Sequence, residues 1–383
     1  MKLFHLSDLH IGLKLYNRDL REDQIHIFQQ ICAAAKQEQP DAILIAGDIY
    51  DKALPSAEAV ALFDRFTADL AASAPNAKLM MISGNHDSAP RINVFRQILQ
   101  RQNLYMIGMP PQAPEEHIQQ VTLEDECGPV HFYLLPFVKP SMVKAIVGTD
   151  ENGVNLSYNE SIHKLIERED INPTERNVLV SHQFYLPVGS DAQQVDRMDN
   201  EFRTVGNIDE VKADILERFD YAALGHIHKP MTVGNDCFRY CGTPMPYSVS
   251  EANQQKGILM VELKEKGTVE TTVLPLVPLH PVRVISGTLE EVLMQGCDDY
   301  VSIVLTDKAD PDLLDMQDRI RSAFPNHLEI RRENIRTADY TMQAIEEDQM
   351  DAFALCNAFL KDLDDEEQAL LQDVINTVLE VQE

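Results

Sequence analysis

The chain has 383 residues, 44% hydrophobic and 25% charged, with a net charge of -29. That length and apolar share predict two or three globular units and exclude a disordered chain. The acidity argues against a partner held by Lys and Arg on a phosphate backbone alone.

The start, Met1-Lys2-Leu3-Phe4-His5, turns polar at once and does not read as a signal peptide, and no apolar run approaches the roughly 18 residues of a membrane span. A cytoplasmic protein with no membrane role is expected. Six cysteines (Cys32, Cys127, Cys237, Cys241, Cys297, Cys356) include no Cys-x-x-Cys pair, so neither a disulfide framework nor a zinc ribbon is indicated.

Lys2 to Leu6 is an apolar run of strand length that ends in Ser7-Asp8-Leu9-His10. Residues two apart in an extended chain point the same way, so Asp8 and His10 converge while Leu9 faces a core. Arg18 to Gln37 carries Ile25, Phe28, Ile31, Cys32 and Ala35 at helical spacing. Ala42 to Ala46 is a second buried run, followed by Gly47-Asp48-Ile49-Tyr50-Asp51. A second helix over Ser56 to Ala72 places Val60, Phe63, Phe66 and Leu70 on one face. A third run, Leu79 to Ile82, leads into Ser83-Gly84-Asn85-His86-Asp87-Ser88. Three βα units in a row predict a parallel sheet flanked by helices, with ligands gathered outside the carboxyl ends of its strands.

Asn93 to Gln102 reads as another helix and His131 to Leu135 as a strand whose histidine faces a sheet surface. Ser157 to Glu169 reads as a helix. Val178 to Val180 ends in Ser181-His182, where a lone histidine serves either packing or ligation. Asp209 to Arg218 is helical in pattern. Tyr221 to Leu224 then runs into Gly225-His226-Ile227-His228, two imidazoles two apart after a buried run. Strand-like pieces at 238–241, 257–263 and 269–274 suggest a second, more antiparallel sheet, and Pro275 to Pro281 marks a domain boundary.

Asp8, His10, Asp48, Asn85, His182, His226 and His228 are seven oxygen and nitrogen donors, none a thiolate. Such a set suits Mn²⁺, Fe²⁺ or Zn²⁺ rather than Ca²⁺, and seven donors suit two ions sharing a carboxylate, with Asp48 as the bridge. His86 beside Asn85 is the candidate to protonate a leaving oxygen, and Asp51 the candidate to orient it.

The series Asp8-x-His10, Gly47-Asp48-x-x-Asp51, Gly84-Asn85-His86-Asp87, His182 and Gly225-His226-x-His228 resembles the motif set of the calcineurin-like metallophosphoesterases over residues 1 to about 275. The stretches His5 to Gly12, Leu224 to His228 and Arg239 to Pro244 narrow the resemblance to the SbcD family, the nuclease subunits of bacterial SbcCD complexes. Leu9 departs from it, because many relatives carry Trp there. The resemblance implies an α/β double-sheet sandwich flanked by helices. It also implies two divalent metal ions, foremost Mn²⁺ with Fe²⁺, Zn²⁺ or Mg²⁺ as alternatives. DNA cleavage as double-strand exonuclease and single-strand endonuclease, in repair, recombination and replication, would follow. The implied partners are an SbcC-like ATPase with a long coiled coil and a second copy of the chain. The alternative activity is a metallophosphoesterase acting on a nucleotide or phosphoprotein.

Residues 1–278 are therefore expected to form the nuclease domain. Residues 279–339 read as a small βαβαβ cap, the least acidic part of the chain, with Arg319, Arg321, Arg331, Arg332 and Arg336. Residues 340–383 are an acidic helical tail, with twelve acidic residues from position 340 onward against Lys361 alone. Apolar stripes in its segments 348–360 and 366–379 fit docking on the partner's coiled coil.

Overall fold

Runs of buried β-branched and aliphatic residues build two facing six-stranded sheets in the computed structural model, which describes residues 1–187, 189, 209–307, 313–333, 360, 367, 368, 370 and 371. Strands β1 (Lys2–Leu6), β2 (Ala42–Ala46), β3 (Lys78–Ile82) and β4 (Leu104–Ile107) pair in parallel in that order. Their crossovers are α1 (Arg21–Glu38) and α2 (Ala57–Ser73), the latter started by Ser56, whose hydroxyl accepts from the Ala59 N–H at 3.2 Å.

The second sheet comprises β5 (Gln119–Asp125), β6 (Gly128–Leu135), β7 (Arg176–Ser181), β8 (Tyr221–Leu224), β9 (Met231–Val233) and β10 (Asn235–Tyr240), in the order β9-β10-β8-β7-β6-β5. Helices α3 (Pro140–Val147) and α4 (Tyr158–Glu167) cover it, the latter opened by a Ser157–Glu160 capping box. The chain then returns to the first sheet through β11 (Gly257–Leu263), antiparallel to β1, and β12 (Val269–Pro275) at its edge. The antiparallel pieces at 257–263 and 269–274 thus complete the first sheet rather than a second one. The piece at 238–241 falls in β10, which lies parallel to β8.

Period-two alternation sorts the side chains into layers. Leu3, Leu44, Met80, Phe132, Val178, Val180 and Tyr221 fill the space between the sheets. Phe4, Leu6, Ile43 and Ile45 meet Phe28 and Phe66 on the outer face of the first sheet. His5 points inward with Leu3, and burial pushes its pKa down to about 3, so the ring is neutral. Its Nδ1 lies 2.9 Å from the Tyr221 hydroxyl and its Nε2 donates to the Leu224 carbonyl at 3.2 Å, joining the sheets.

Three local expectations differ. Val60 is 45% exposed, and Ala59 takes its place on the buried face of α2. Residues 93–102 do not form one helix: Phe95, at φ 60°, separates the turns Ala89–Ile92 and Arg96–Leu99. Residues 209–218 divide into a strand, Glu210–Lys212, paired with Phe184–Leu186, and a 3-10 helix, Ala213–Arg218.

Arg176, 2% exposed, ties the sheets together at one end. Its Nη1 donates to Asp125 Oδ2 at 3.0 Å and to the Lys264 carbonyl at 2.9 Å, and its Nη2 to Asp125 Oδ1 and the Gly128 carbonyl. Arg176→Met is expected to lower stability by about 3 kcal/mol in urea denaturation, because it strands buried carbonyls and a carboxylate. The Arg176 guanidinium holds the Asp125 carboxyl well below the usual carboxylate range. A depressed folded-state pKa stabilises above the unfolded value and loses that effect as pH falls. The wild-type protein should therefore lose stability below roughly pH 4, more steeply than Asp125→Asn does.

Beyond Pro275 the connector is fastened to α1: Gln30 exchanges two hydrogen bonds with the Val277 backbone, at 2.7 and 3.0 Å. A three-stranded parallel sheet follows, β13 (Val282–Gly287), β14 (Tyr300–Leu305) and β15 (His327–Arg332), with α5 (Leu289–Leu293) and α6 (Leu313–Ala323). It has its own core of Ile285, Val292, Val301, Ile303, Ile320 and Phe324. The two tail segments lie outside the described residues, apart from isolated positions, as does Arg336.

Candidate metal centre

All seven predicted donors lie at the carboxyl ends of adjacent strands from both sheets: Asp8 and His10 after β1, Asp48 after β2, Asn85 after β3, His182 after β7, and His226 and His228 after β8. The loops are bent to bring them there. Asp8, His10, Asp48 and His226 hold φ values of 53°, 42°, 49° and 100°, a region that non-glycine residues rarely occupy. Gly84 sits against Asp48, and a side chain there would collide with that carboxylate and its backbone N–H. At Gly225 a Cβ would strike the Ala46 carbonyl, so the glycine after β8 is required by close approach.

Three triads form, Asp8/His10/His228, His10/Asp48/His86 and Asp8/Asp48/His182, each with one donor atom per residue within 4.8 Å of the others. Asp48 belongs to two of them. Its Oδ1 accepts from the His86 backbone N–H at 2.9 Å, which leaves Oδ2 facing His182 Nε2 at 3.4 Å and His10 Nε2 at 3.6 Å. His10 and His228 oppose their Nε2 atoms at 3.1 Å. Asn85 Oδ1 lies between His182 Nε2, 3.1 Å away, and His226 Nδ1, 2.9 Å away. The His226 N–H donates to both oxygens of Asp8, at 3.1 and 3.2 Å.

Burial and charge act against each other here. Burial pushes the His10 pKa well below the ordinary value, so that ring is neutral. Burial also disfavours charge on His182, but Asp48 outweighs it and lifts the pKa to about 9. Desolvation likewise opposes ionisation of Asp48, yet the His182, His10 and His86 rings hold its carboxyl far below the usual range. Asp8 is shifted the other way, raised chiefly by burial.

The donor set fits divalent cations. Opposed imidazole nitrogens and two carboxylates face one small space, and His10 Nδ1 is buried without a hydrogen-bond partner among the described residues. Imidazole and carboxylate without thiolate suit borderline to hard ions. The nearest buried thiol, Cys241, turns its Sγ to the Ser7 hydroxyl at 3.0 Å.

His86 stands at the rim, its ring 4.8 Å from that of His10. Its Nδ1 donates to the backbone carbonyl of Asp51 at 2.9 Å, so residue 51 meets this ring through its main chain rather than its carboxylate. Asp87 is a buried staple. Its Oδ2 accepts from the N–H groups of Ile49 and Gly84 and its Oδ1 from Tyr50, at 2.9 to 3.0 Å, fixing the loops after β2 and β3 to each other. Burial, reinforced by Asp48, raises its pKa to about 6.

Sequence reasoning also missed the layer behind His10 and His228. Gln24 on α1 donates to the His10 carbonyl at 2.9 Å, and the Tyr247 hydroxyl donates to the Leu9 carbonyl at 2.5 Å. Glu251 and Lys256 form a buried ion pair at 2.6 Å, and Lys256 Nζ also donates to the His228 carbonyl at 2.9 Å. Desolvation acts against ionising Glu251, but His228 and Lys256 overcome it and leave its pKa at about 2. A charged pair between a short 3-10 helix, Val249–Glu251, and β11 gave no periodic signal, and only its position after Gly242-Thr243-Pro244 pointed near the site.

The family profile of the calcineurin-like phosphoesterases matches residues 1–230, and that of the type 5 capsule protein repressor C-terminal domain matches residues 278–367. The SbcD subunit of the nuclease SbcCD from Staphylococcus epidermidis is 29% identical over 336 residues, which span 86% of this chain and 84% of that protein. Among solved structures, TT1561 of Thermus thermophilus is 11% identical with a TM-score of 0.40, covering 71% of this chain and 98% of its own. GAP50, the anchor in the inner membrane complex of Plasmodium, is 13% identical with a TM-score of 0.42, covering 86% and 96%. On the sequence match over its first 230 residues, the chain belongs to the calcineurin-like phosphoesterase family.

Proposed function

We propose that the chain is the metal-dependent nuclease subunit of an SbcCD-type complex, hydrolysing DNA phosphodiester bonds. The observation that carries the reading is the overlap of the donor triads: Asp8, His10 and Asp48 each belong to two of them, which suits a pair of cations sharing a carboxylate, for which Asp48, facing rings from both sheets, is the candidate. Asp8, His10 and His228 would hold one ion and Asn85, His182 and His226 the other, with Asp48 shared; mixed imidazole and carboxylate donors suit Mn²⁺, Fe²⁺ or Zn²⁺, of which the SbcD resemblance favours Mn²⁺. Cations bound there supply Lewis-acid stabilisation of a phosphoryl oxygen and lower the pKa of water.

The chain's own residues do the rest. His86, with Nδ1 given to the Asp51 carbonyl, presents Nε2 to an incoming phosphoester and delivers a proton to the leaving oxygen. A cleft of about 490 Å³ opens beside Asp51, and its lining sets Lys14, Arg21 and Lys52 among the carboxylates Asp19, Asp51 and Glu58, with Arg21 paired to Asp19 at 3.5 Å. Tyr300 of β14 donates to Asp23 Oδ2 at 2.9 Å, a contact that supports reading 279–339 as a cap beside the site. The tail at 340–383 would dock on the coiled-coil ATPase. The exposed side chains Val94, Phe95 and Ile98 offer an apolar surface for a second copy. Among the described residues no helix is long and apolar enough to cross a membrane.

One observation favours a smaller substrate. Arg319, Arg321 and Arg331 of the cap each pair with a neighbouring carboxylate, at 2.6, 3.8 and 2.7 Å, which weakens the cap as a basic surface. The deciding experiment incubates the Mn²⁺-loaded chain, with its ATPase partner, with linear double-stranded DNA. Mn²⁺-dependent shortening is expected. No cleavage, together with turnover of a cyclic nucleotide or phosphopeptide, would overturn the nuclease reading.

A further inference from the structure

The rings around the centre differ in what backs them. His182 Nδ1 donates to the Ala46 carbonyl at 2.7 Å and His86 Nδ1 to the Asp51 carbonyl, both neutral acceptors. Behind His228 stands a carboxylate: Glu251 Oε1 lies 3.7 Å from Nδ1, an electrostatic rather than a hydrogen-bonding distance. Glu251 is fully buried and built into place. Its Oε2 accepts from the Thr243 hydroxyl at 2.7 Å and from Lys256, and its Oε1 from the Ser248 hydroxyl at 3.1 Å and the Tyr247 N–H at 3.3 Å. Nothing in the proposed chemistry uses this carboxylate directly.

We propose that Glu251 is a positioning residue that makes the two cation positions unequal, strengthening the one at Asp8, His10 and His228. The inference rests on the metal-centre reading. A carboxylate behind an imidazole favours the tautomer with hydrogen on Nδ1, which turns the Nε2 lone pair toward His10 and the shared space and makes that nitrogen a stronger donor. Among the described residues no comparable charge backs His182, so the position at Asp48, Asn85, His182 and His226 gains nothing from Glu251. Lys256 keeps the carboxylate from standing uncompensated in the interior and, through the His228 carbonyl, fixes the backbone that carries the ring.

The test is calorimetric titration of the metal-free full-length chain with Mn²⁺, with electron paramagnetic resonance following the bound ions. The unaltered chain should show two uptake steps. Glu251→Gln should weaken one of them 10- to 100-fold, a range usual for such backing residues, and leave the other within about twofold. Because Glu251→Gln strands the Lys256 ammonium, the charge-neutral pair Glu251→Gln/Lys256→Met is measured alongside, with Glu251→Asp as the conservative variant expected to fall between. If the neutral variants do not fold, Glu251→Asp alone decides by whether one step or both respond. Equal weakening of both steps would mark a merely structural role and overturn the proposal, as would two unchanged steps. Absence of Mn²⁺ uptake by the unaltered chain would instead overturn the metal centre itself.

Discussion

Asp48→Ala is expected to abolish paired cation uptake and to reduce phosphodiester hydrolysis by about 10³-fold or more. Losing a shared ligand withdraws stabilisation of several kcal/mol from the reacting phosphoryl group, and each ~1.4 kcal/mol is a factor of ten in rate. Asp48 Oδ1 is committed to the His86 N–H, while Oδ2 faces two rings from different sheets, so no neighbouring side chain can take over. Metal content by elemental analysis and turnover of bis-p-nitrophenyl phosphate check the prediction. A variant that still binds two Mn²⁺ per chain would refute the bridging role.

His86→Ala is expected to behave differently: both cations stay and the rate falls by about 10² to 10⁴-fold on DNA. The ring stands at the rim, and its Nδ1 is already engaged by the Asp51 carbonyl, which leaves Nε2 as the atom available to substrate. If that nitrogen protonates the leaving oxygen, a substrate whose leaving group departs as a stable phenolate has less need of it. The same variant should therefore lose less than about tenfold on bis-p-nitrophenyl phosphate. An equal loss on both substrates, or a loss of bound metal, would reassign His86 as a ligand. Because the contact comes from the main chain, Asp51→Ala is expected to cost far less than His86→Ala.

Much of this centre was legible because its residues follow the simplest rule of a parallel sheet: polar residues directly after buried runs collect at one edge. Asp8, Asp48, Asn85, His182 and His226 each sit within three residues of the end of a strand that reads as apolar. The partnering of strands was less accessible. Positions 257–263 and 269–274 read correctly as strands, but nothing local says that the first returns across the chain to β1 and carries the second to the sheet edge, because pairing depends on long-range packing rather than on propensity. The strand at 104–107 and the helix at 140–147 were missed, the first being short and only half buried, the second carrying just two buried side chains. Residues 93–102 show helical spacing, yet Phe95 in a left-handed conformation interrupts them. Glu251, Lys256 and Gln24 escaped for another reason. Their importance lies in what they touch through space, and a buried ion pair separated by five positions has no pattern that distinguishes it from a solvated one.

The left-handed backbone at Asp8, His10, Asp48 and His226 has a bearing on how this sequence can drift. Asparagine and glycine adopt that conformation with less strain, so selection for foldedness alone should pull these four sites toward them. Selection for cation uptake should hold the original residues. A mutational library sorted once for soluble expression and once for Mn²⁺ retention would separate the two pressures, and these codons are where the surviving populations should diverge most.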